Sequence, residues 1–407
     1  MAIIHPFQGW LPKPELAKEI SSVPYDVIST EEAKKLAEGA AESFLHVIRP
    51  EIDLPSGIPF NDDSVYEKGA ENLQALLSSS SMVQDDHDSI YIYELQVGQR
   101  AQIGVFTTVS VEDYDNDVIL KHELTRPDKE DDRTRHILTQ SAHAEPVMLT
   151  FRDTAGISEL MSGIMKQNDP RIDFTADDGV RHRIWRVQDG DKFTRAFAGI
   201  PRLYVADGHH RCKSASRVAE ELRKENGTTP GEEEYDFFPA VLFPMDQMKI
   251  LPYNRILLQA DDKMVEDLKS RFTMKPNVPP APQKRGEVSI YYRGVWYGLS
   301  LPDPGGNDAV ASLDVARLQN FILKPVFGIE NPRTDSNIDF VGGIRGTGEL
   351  EKRVDMGRAT LAFSMYPTSI EELVEVSDQG LLMPPKSTWF EPKLRSGLVI
   401  HAFEKTP

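Results

Sequence analysis

A short apolar run that passes through a glycine turn into an amphipathic stretch constrains this chain more than any other feature. The run is Leu203–Ala206, the turn is the pentapeptide Asp-Gly-His-His-Arg at Asp207–Arg211, and the amphipathic stretch starts near Lys213. The pattern predicts a strand, a tight turn and a helix in direct succession. In such a unit the first N–H groups of the helix point outward at the positive end of its dipole, where an anion is stabilised. We therefore interpret the pentapeptide as a phosphate-binding site.

The side chains of the pentapeptide fit the same interpretation. Arg211 supplies a planar guanidinium suited to phosphate oxygens, and His209 and His210 can hydrogen-bond such oxygens or share a proton near neutral pH. The structural alternative is an ordinary turn, in which Asp207 caps the helix and the other side chains are solvated. Three successive donor side chains are an odd choice for a simple cap, and this favours the functional interpretation.

Length and charge narrow the class of protein. At 407 residues the chain is long enough for two or three domains with a substantial core. Nucleic-acid binding depends on many contacts from Lys and Arg to phosphates. The net charge of −18, with 64 acidic against 46 basic residues and no long basic run, therefore argues against DNA or RNA as the main ligand. A small anion remains compatible with a local cluster such as His209–Arg211.

The sequence also predicts a compartment and a redox state. Its apolar runs are far too short to cross a bilayer, and Met1–Trp10 lacks the basic and apolar regions of a secretory signal, so we expect a cytoplasmic protein. The single cysteine, Cys212, cannot form an internal disulfide. It lies just inside the expected helix start, where a thiol pKa can be lowered. A reactive role is conceivable, but a small residue packed under the loop is the favoured interpretation.

Hydrophobic periodicity predicts an α+β fold. Ser29 and Glu32 have the spacing of a capping box at the start of a short helix. Alternating apolar residues over 91–97 and 102–111, separated by a glycine-containing turn, predict a hairpin. A charge-dense segment then leads into a helix predicted around 134–142.

The middle of the chain is predicted to mix strands and helices. Strands are expected at 146–151 and 203–206, and a second hairpin is expected from 181–187 and 192–197 across an Asp-Gly turn. The Pro-rich stretch 276–282 is typical of a linker between two regions.

Phosphoryl transfer needs cationic donors for the phosphates and a carboxylate that takes the proton of the attacking hydroxyl. The pentapeptide supplies the donors. Glu123, next to His122 in a loop before a helix, is one candidate for the carboxylate. Asp207 is another, and its oxygen atoms are also suited to hold magnesium. The plain alternative for Glu123 is a surface acid in a segment that contains many.

Two other reaction classes fit the sequence less well. Adjacent histidines such as His209 and His210 point in different directions, unlike the i, i+4 pairs of zinc helices. Nucleophilic hydrolysis lacks its usual signature, because no Gly-x-Ser-x-Gly elbow is present and Cys212 has no recognisable partner pattern.

The order of these parts resembles a known kinase family. Tyr204–Arg211, preceded by the pair His122 and Glu123, a helix and a strand that starts at Pro146, resembles the free serine kinase (SerK) branch of the ParB/sulfiredoxin superfamily. In that branch the strand-Asp-Gly-His-His-Arg-helix unit binds nucleotide phosphates, and a glutamate from an upstream His-Glu segment acts as base toward the serine hydroxyl. The resemblance assigns these roles to Gly208–Arg211 and to Glu123.

The whole chain is also similar to a wider SerK-like family. The segments that carry this similarity are Pro24–Val27, Ser43–Val47, Arg49–Glu51, His122–Arg133, the pentapeptide, Leu251–Arg255, Phe340–Gly346, Met383–Thr388 and Phe390–Lys393. Together with the Pro-rich stretch, the resemblance implies three regions. These are an N-terminal α/β region over 1–118, a ParB/sulfiredoxin-like nucleotide-binding core over 119–275, and a C-terminal α+β region over 276–407.

We therefore expect a nucleotide-dependent kinase that phosphorylates free L-serine or a similar small metabolite and gives O-phosphoserine or a close analogue. The expected catalytic residues are Glu123, Asp207 and His209, with Gly208–Arg211 at the nucleotide. The expected cofactors are ATP or ADP and Mg²⁺, with Asp207 at the metal, and the sequence does not distinguish the two nucleotides. The expected partners are a nucleotide and a small substrate, without nucleic acid or membrane, and the sequence indicates no oligomeric state.

Two alternatives remain open. One is a non-catalytic, nucleotide-binding regulatory protein of the same ParB-like fold. The other is a ParB-like nucleic-acid protein, which the acidic balance disfavours. Near the C-terminus, Lys386, Lys393 and Arg395 are candidates for a second contact to an anion, although solvated basic residues are the commoner case.

Overall fold

The computed structural model describes residues 1–403 and divides them into two compact units. The first unit contains Met1–Lys121, Thr125–Met248 and the chain from Pro392 onward, and the second contains His122–Leu124 and Lys249–Glu391. We refer to residues 392–403 as the C-terminal segment. Among residues 1–403, no helix combines the length and the apolar character needed to cross a bilayer.

In chain order, the strands are β1 (Ile4–His5), β2 (Trp10–Pro12), β3 (Met82–Gln84), β4 (Ile90–Val97), β5 (Arg100–Ser110), β6 (Ile119–Leu120), β7 (Ala142–His143), β8 (Val147–Phe151), β9 (Ile172–Thr175), β10 (Arg181–Val187), β11 (Leu203–Asp207), β12 (Phe237–Pro244), β13 (Ile250–Leu251), β14 (Tyr253–Leu257), β15 (Lys275–Pro276), β16 (Glu287–Tyr292), β17 (Val295–Ser300), β18 (Ile338–Gly342), β19 (Leu361–Met365), β20 (Trp389–Phe390) and β21 (His401–Ala402).

The α-helices are α1 (Ala17–Ile20), α2 (Thr30–Ala37), α3 (Leu45–Ile48), α4 (Asp63–Leu77), α5 (Val111–Asp115), α6 (Pro127–Gln140), α7 (Ile157–Gln167), α8 (Asp191–Phe197), α9 (His209–Asn226), α10 (Asp262–Arg271), α11 (Asp314–Leu318), α12 (Lys324–Phe327), α13 (Gly346–Asp355) and α14 (Ile370–Asp378). The mixture of helices and strands confirms the α+β class, while the ParB/sulfiredoxin-like identity of the core remains a prediction.

The first unit is built on a mixed sheet of nine strands in the order β6-β11-β8-β12-β5-β4-β10-β9, with β1 also paired to β5. β12 runs parallel to β8 and antiparallel to β5, and β11 runs antiparallel to β8. Every residue of β12 is buried, as expected for a central strand that is covered on both faces. The order of the strands places β11, which leads into the pentapeptide, next to the edge strand β6.

This sheet explains why the two units differ from the three regions expected from the sequence. β4 and β5 lie in the expected region 1–118, whereas β8, β11 and β12 lie in the expected core 119–275, yet all five belong to one sheet. Since neighbouring strands share their backbone hydrogen bonds, the two expected regions form one unit. The C-terminal segment also returns to this unit, where β21 pairs with β7.

Several local predictions are confirmed. Ser29 and Glu32 form a complete capping box at the start of α2, with each side chain bonded to the backbone of the other residue. β4 and β5 form the predicted hairpin, with Val97 opposite Arg100 at the turn. Both features depend on residues close in sequence, which is why periodicity and cap signals find them.

The second predicted hairpin is wrong in one arm. β10 forms over the predicted residues but pairs with β4 and β9. Residues 192–197, predicted as its partner strand, belong to the helix α8. Phe193 and Phe197 are both buried, and their separation of four places them on one face of a helix.

The charge-dense segment before residue 134 also forms a helix earlier than predicted. α6 begins at Pro127, in the first-turn position where a proline has no N–H to lose from the hydrogen-bond ladder. Its buried residues include Asp132, Arg133 and His136. Charges on a buried helix face weaken the amphipathic pattern, which explains why this helix start was not predicted.

The second unit contains a six-stranded sheet in the order β15-β17-β16-β19-β14-β18, with antiparallel pairing throughout that order. The Pro-rich stretch 276–282, predicted as a linker, belongs to this unit. Pro276 pairs with Tyr297, and Val278 packs against the core that contains Trp296. Pro276 thus lies in the edge strand β15, where a missing N–H costs no ladder hydrogen bond.

Two glycines of the first unit test its packing. A Cβ at Gly104 in β5 would lie 2.7 Å from Phe243 Cδ1 and 2.8 Å from the carbonyl oxygen of Leu242, whereas a Cβ at Gly163 in α7 would meet no atom within 4 Å. We expect Gly104→Ala to destabilise the unit by about 1–3 kcal/mol through overpacking. Gly163→Ala should stabilise it by about 0.5–1 kcal/mol, because alanine favours the helix. Thermal unfolding followed by circular dichroism measures both; equal midpoints would contradict the described packing of β5 against β12.

A second prediction concerns the anchor of the C-terminal segment. Burial alone would raise the pKa of Glu234, but hydrogen bonds from His401 and His5 lower it from 4.5 to about 2. Because the folded state holds this carboxyl ionised, its stabilising contribution is present above pH 4.5 and is lost as the pH falls toward 2. Glu234→Gln should therefore lower the unfolding midpoint near pH 6, and the difference from the parent should shrink steadily on acidification. A difference that does not depend on pH would contradict the ionic character of this anchor.

Candidate functional site

The predicted strand, turn and helix are present at the pentapeptide. β11 ends at Asp207, Gly208 has φ of 98°, and α9 starts at His209. The pairing of β11 with β8 shifts register between Val205 and Asp207, and such an irregularity re-aims the chain as it leaves a sheet. Gly208 is required for two reasons: its backbone is left-handed, and a Cβ there would lie 3.1 Å from both Arg211 Nε and Val147 Cγ1.

The N-cap position of α9 has no capping side chain. Gly208 is the N-cap residue of α9 and has no side chain of its own to accept a capping hydrogen bond. Asp207 lies one residue before this N-cap, and its capping role, the structural alternative considered from the sequence, stays a hypothesis. The first-turn N–H groups of a helix have no carbonyl partner within the helix, and in α9 they lie at the positive end of an 18-residue helix.

Asp207 forms ion pairs with two basic side chains. Its Oδ2 lies 3.3 Å from Arg211 Nη2, and its Oδ1 lies 3.4 Å from Lys393 Nζ. Lys393 comes from the C-terminal segment, so residues 186 positions apart meet at this carboxylate. The sequence suggested Lys393 only as a second contact to an anion; the structure brings it to the pentapeptide itself.

The same geometry gives no support to Asp207 as a magnesium ligand. Within residues 1–403, no group of three or more His, Cys, Asp or Glu side chains is arranged to hold a metal ion. A carboxylate flanked by a guanidinium and an ammonium is also electrostatically unsuited to a third cation. In the described structure Asp207 is the common partner of two basic residues, and its role at a magnesium ion stays a prediction.

Arg211 is turned into the protein. Its side chain is 9 % exposed, and its Nη1 donates to the carbonyl of Pro146. Burial alone would lower the pKa of Arg211, but the negative charges of Glu145 and then Asp207 raise it. The guanidinium is therefore permanently charged and compensated from within, which favours an orienting role over the direct phosphate contact that the sequence suggested.

The two histidines occupy different environments. His209 is buried, and His210 is half-buried and accepts the N–H of Arg126 at Nε2, at 3.1 Å. That bond ties the residue just before α6 to the first turn of α9. A second tie between the same helices is the bond from Ser214 Oγ to the carbonyl of Glu130, at 3.1 Å. The first turns of α6 and α9 are thus held side by side.

Sequence reasoning missed a buried acid beside the pentapeptide. Glu145, 9 % exposed, lies two residues before the first residue of β8. It accepts the N–H of Tyr25 at 3.2 Å and the hydroxyl of Ser396 at 2.9 Å. Burial raises the pKa of Glu145, and the positive charges of Arg211 and Arg133 oppose that rise. The available signal was a lone acidic residue at the start of a continuous apolar run, an expensive choice unless the charge is compensated.

Arg133 completes this set of charges. Its guanidinium stacks over the ring of Tyr25 at 4.2 Å and pairs with Asp132 at 2.8 Å. Asp132 also accepts the hydroxyl of Tyr66 at 3.2 Å. Through these contacts the loop that carries Tyr25, the residue Glu145 and the helix α6 form one buried polar network beside the pentapeptide.

Glu123, the predicted base, belongs to the second unit. On one side of it the carbonyl of His122 accepts the N–H of Met383 at 2.8 Å, and on the other the carbonyl of Leu124 accepts Arg333 Nη1 at 3.3 Å. His122 Nε2 also lies 3.4 Å from Thr388 Oγ1. These bonds hold the backbone on both sides of Glu123 within that unit, and its role as base stays a prediction.

The other candidate basic residues are divided between the units. Lys386 is in the second unit, with Nζ 5.4 Å from the ring centroid of Tyr253. Arg395 is in the first unit, with Nη1 3.9 Å from Asp178 Oδ2. Among Lys386, Lys393 and Arg395, the described ion pairs connect only Lys393 to a residue of the pentapeptide.

Comparison with known proteins identifies one family. The family described as "Protein of unknown function (DUF1015)" matches residues 4–316. A search of curated proteins finds no match.

Similar solved structures include three proteins. A free serine kinase in complex with AMP is 14% identical, with 70% of this chain and 86% of that chain covered and a TM-score of 0.37. SbnI with C-terminal truncation, from Staphylococcus aureus, is 13% identical, with 72% and 85% covered and a TM-score of 0.38. A conserved hypothetical protein from Pyrococcus furiosus is 14% identical, with 70% and 90% covered and a TM-score of 0.35.

The thiol of Cys212, next to the pentapeptide, gives a direct test of how the start of α9 packs. Cys212 is fully buried, and burial raises the pKa of its thiol to about 12. Since the thiolate is the reactive form, the native protein at pH 8 should resist a thiol reagent that labels the guanidinium-unfolded chain completely. The chain has one cysteine, so mass spectrometry reads the result without ambiguity. Rapid labelling of the native protein would contradict the described start of α9.

Proposed function

The chain belongs to DUF1015, a family of proteins of unknown function, and we propose that it is a nucleotide-dependent kinase that phosphorylates the hydroxyl of free L-serine or a similar small metabolite. The observation that carries this proposal is the start of α9. A left-handed glycine leads a strand directly into a long helix with no side chain at its N-cap, which is the backbone arrangement that binds phosphate groups.

The charges around that helix start support a nucleotide phosphate as the ligand. Lys393 and Arg211 bring two positive charges to the side of the pentapeptide, and the helix dipole adds to them. Asp207 offsets part of this charge and fixes the position of both cations. In the proposed complex the backbone of Gly208–Arg211 and the side chains of His209, His210 and Lys393 contact the phosphates.

The proposed reaction transfers the terminal phosphoryl group. The oxygen of the substrate hydroxyl forms a bond to the terminal phosphorus, the bond between that phosphorus and its bridging oxygen breaks, and the hydroxyl proton passes to Glu123. The products are O-phosphoserine, or its analogue, and a nucleotide shorter by one phosphate. Donors at the helix start stabilise the charge that develops on the transferred group.

A different class of function, nucleotide binding for regulation, shares the phosphate contacts but not the transfer. The protein side chains that we assign to the phosphates would serve both functions equally. Glu123 distinguishes them, because a protein that only binds a nucleotide needs no base. The two experiments below therefore separate binding from transfer.

The first experiment measures nucleotide binding at the helix start. Gly208→Ala places a methyl group against Arg211 and Val147, whereas Gly227→Ala changes a left-handed glycine at the other end of α9, where a Cβ meets no atom within 4 Å. Both variants carry the same kind of backbone strain. We expect at least a ~10-fold loss of ATP or ADP affinity by calorimetry for Gly208→Ala, equivalent to one or more charge-assisted hydrogen bonds. The affinity of Gly227→Ala should equal that of the parent, and similar affinities for the two variants would exclude this helix start as the nucleotide site.

The second experiment measures transfer. The parent protein is incubated with L-serine, Mg²⁺ and either ATP or ADP, and phosphoserine is detected by mass. Glu123→Gln should keep nucleotide affinity and lose transfer by about 10²–10⁴-fold, the usual contribution of a general base. Glu330→Gln is the control, because Glu330 is an exposed acid of the same unit, paired with Lys324 at 2.7 Å. Binding without any product in the parent would favour the regulatory function.

A further inference from the structure

A small cavity lies beside the pentapeptide in the first unit. Its volume is about 30 Å³, and its charged lining residues are Arg133, Glu145 and Arg211. His136 and His143 also line it, and each has a buried ring nitrogen without a hydrogen-bond partner in the described structure: Nδ1 in His136 and Nε2 in His143. The cavity thus has both polar and apolar lining residues, and its volume exceeds the roughly 10–15 Å³ needed to hold a water molecule.

Glu145 lines this cavity, and one of its two carboxylate oxygens has no described hydrogen bond to the protein. Both of its hydrogen bonds, from Tyr25 N–H and from Ser396 Oγ, end on Oε1. A buried carboxylate has capacity for further hydrogen bonds on its second oxygen. Oε2 is therefore the atom of Glu145 that remains for a partner in the cavity.

The charges of Glu145 and Arg211 influence each other. Among the charges that stabilise the Arg211 guanidinium, Glu145 has the largest effect, ahead of Asp207. Conversely, Arg211 is the strongest positive influence on Glu145, ahead of Arg133. In the described part of the chain no direct ion pair joins Glu145 to Arg211, so the coupling between them acts across the cavity that both residues line.

The hydrogen-bond donors of Arg211 allow a water-mediated bridge to Glu145. A guanidinium has five N–H donors, and two protein acceptors are described for Arg211, the carbonyl of Pro146 and the carboxylate of Asp207. A water molecule in the cavity can accept from a remaining donor of Arg211 and donate to Glu145 Oε2. Buried waters usually make about three such bonds, and His136 and His143 supply further partners.

We propose that Glu145 is a positioning residue, which holds the guanidinium of Arg211 against Asp207 through one water molecule bound in this cavity. The same carboxylate binds Ser396 and so fixes the C-terminal segment three residues after Lys393, the second partner of Asp207. Glu145 therefore sets the position of both cations that flank Asp207. The consequence for phosphoryl transfer rests on the proposed function, whereas the placement of Arg211 does not.

The placement of Arg211 can be tested without an activity assay. A high-resolution crystal structure of the parent should show one ordered water within hydrogen-bonding distance of Glu145 Oε2 and Arg211. The matched variants are Glu145→Gln and Glu234→Gln, since both acids belong to the first unit and bind a residue of the C-terminal segment, Ser396 and His401 respectively. The NMR signal of the Arg211 Nε–H, identified by its loss in Arg211→Lys, should exchange with solvent at least ~10-fold faster in Glu145→Gln and at the parent rate in Glu234→Gln.

Either of two results overturns the inference: a cavity without ordered water in the parent, or an Arg211 signal that is equally protected in Glu145→Gln and Glu234→Gln. Ser396→Ala separates the two contacts of Glu145. If the water bridge holds Arg211, this variant should leave the Arg211 signal protected, because it removes only the bond to Oε1. Loss of protection in Ser396→Ala equal to that in Glu145→Gln would instead assign the effect to the C-terminal segment and reject the bridge.

Kinetics then test the consequence. We expect Glu145→Gln to lower kcat for serine phosphorylation roughly 10- to 100-fold, as small displacements of orienting groups do, with KM for the nucleotide changed less than about 3-fold. Glu145→Asp, which restores the charge, should recover part of the rate. A parent protein without kinase activity rejects the proposed function but leaves the crystallographic and NMR results valid. An active parent whose kcat is unaffected by Glu145→Gln rejects the positioning role instead.

Discussion

The buried charge of Arg211 is the constraint on which the architecture of the site depends. A guanidinium does not lose its proton in a protein, and an uncompensated charge in the interior is too costly to keep. The compensation comes first from Glu145, two residues before β8, and then from Asp207 on the same turn. Because Arg211 Nε lies 3.1 Å from the position of a Cβ at residue 208, and the backbone there is left-handed, a glycine is favoured at this position. The glycine and the arginine of the pentapeptide thus act together: one lets the chain turn, and the other fixes the turn to the sheet.

The C-terminal segment is the second element that the site requires. It pairs with the first unit through β21 and β7, and Gly397 approaches Phe44 so closely that a Cβ there would lie 2.6 Å from the ring. Lys393 and Ser396 both lie shortly before Gly397 and β21 in the same segment, so their contacts to Asp207 and Glu145 depend on the docking of the whole segment. A chain that folds its sheet before this segment docks would have α9 in place but would lack one of the two cations beside Asp207.

The sequence identified those parts of the site that depend on short-range order. The strand, turn and helix around Gly208 follow from periodicity and turn chemistry within a few residues, and the capping box of α2 follows from two residues three apart. Glu145 and Lys393 were not assigned their contacts, because these arise from residues that are distant in the chain and meet only after folding. The failure at Phe193 and Phe197 has a different cause. Apolar residues four apart fit either an alternating strand or one face of a helix, and here tertiary packing selected the helix.

The acidic balance of the chain and its proposed anionic ligand are compatible for a physical reason. Charges on the surface act over about one Debye length, about 8 Å at physiological ionic strength, so the net charge of −18 acts on a ligand mainly while it approaches. At the site, the nearest charges set the electrostatic potential that acts on the bound ligand. These are the helix start, Lys393 and the compensated Arg211. A long polyanion would have to lie across the acidic surface along its whole length, whereas a nucleotide needs only to bring its phosphates to one helix end. The same charge distribution that disfavours nucleic acid therefore permits a small phosphorylated ligand, and it explains why the basic residues of the site are held by internal carboxylates rather than spread over the surface.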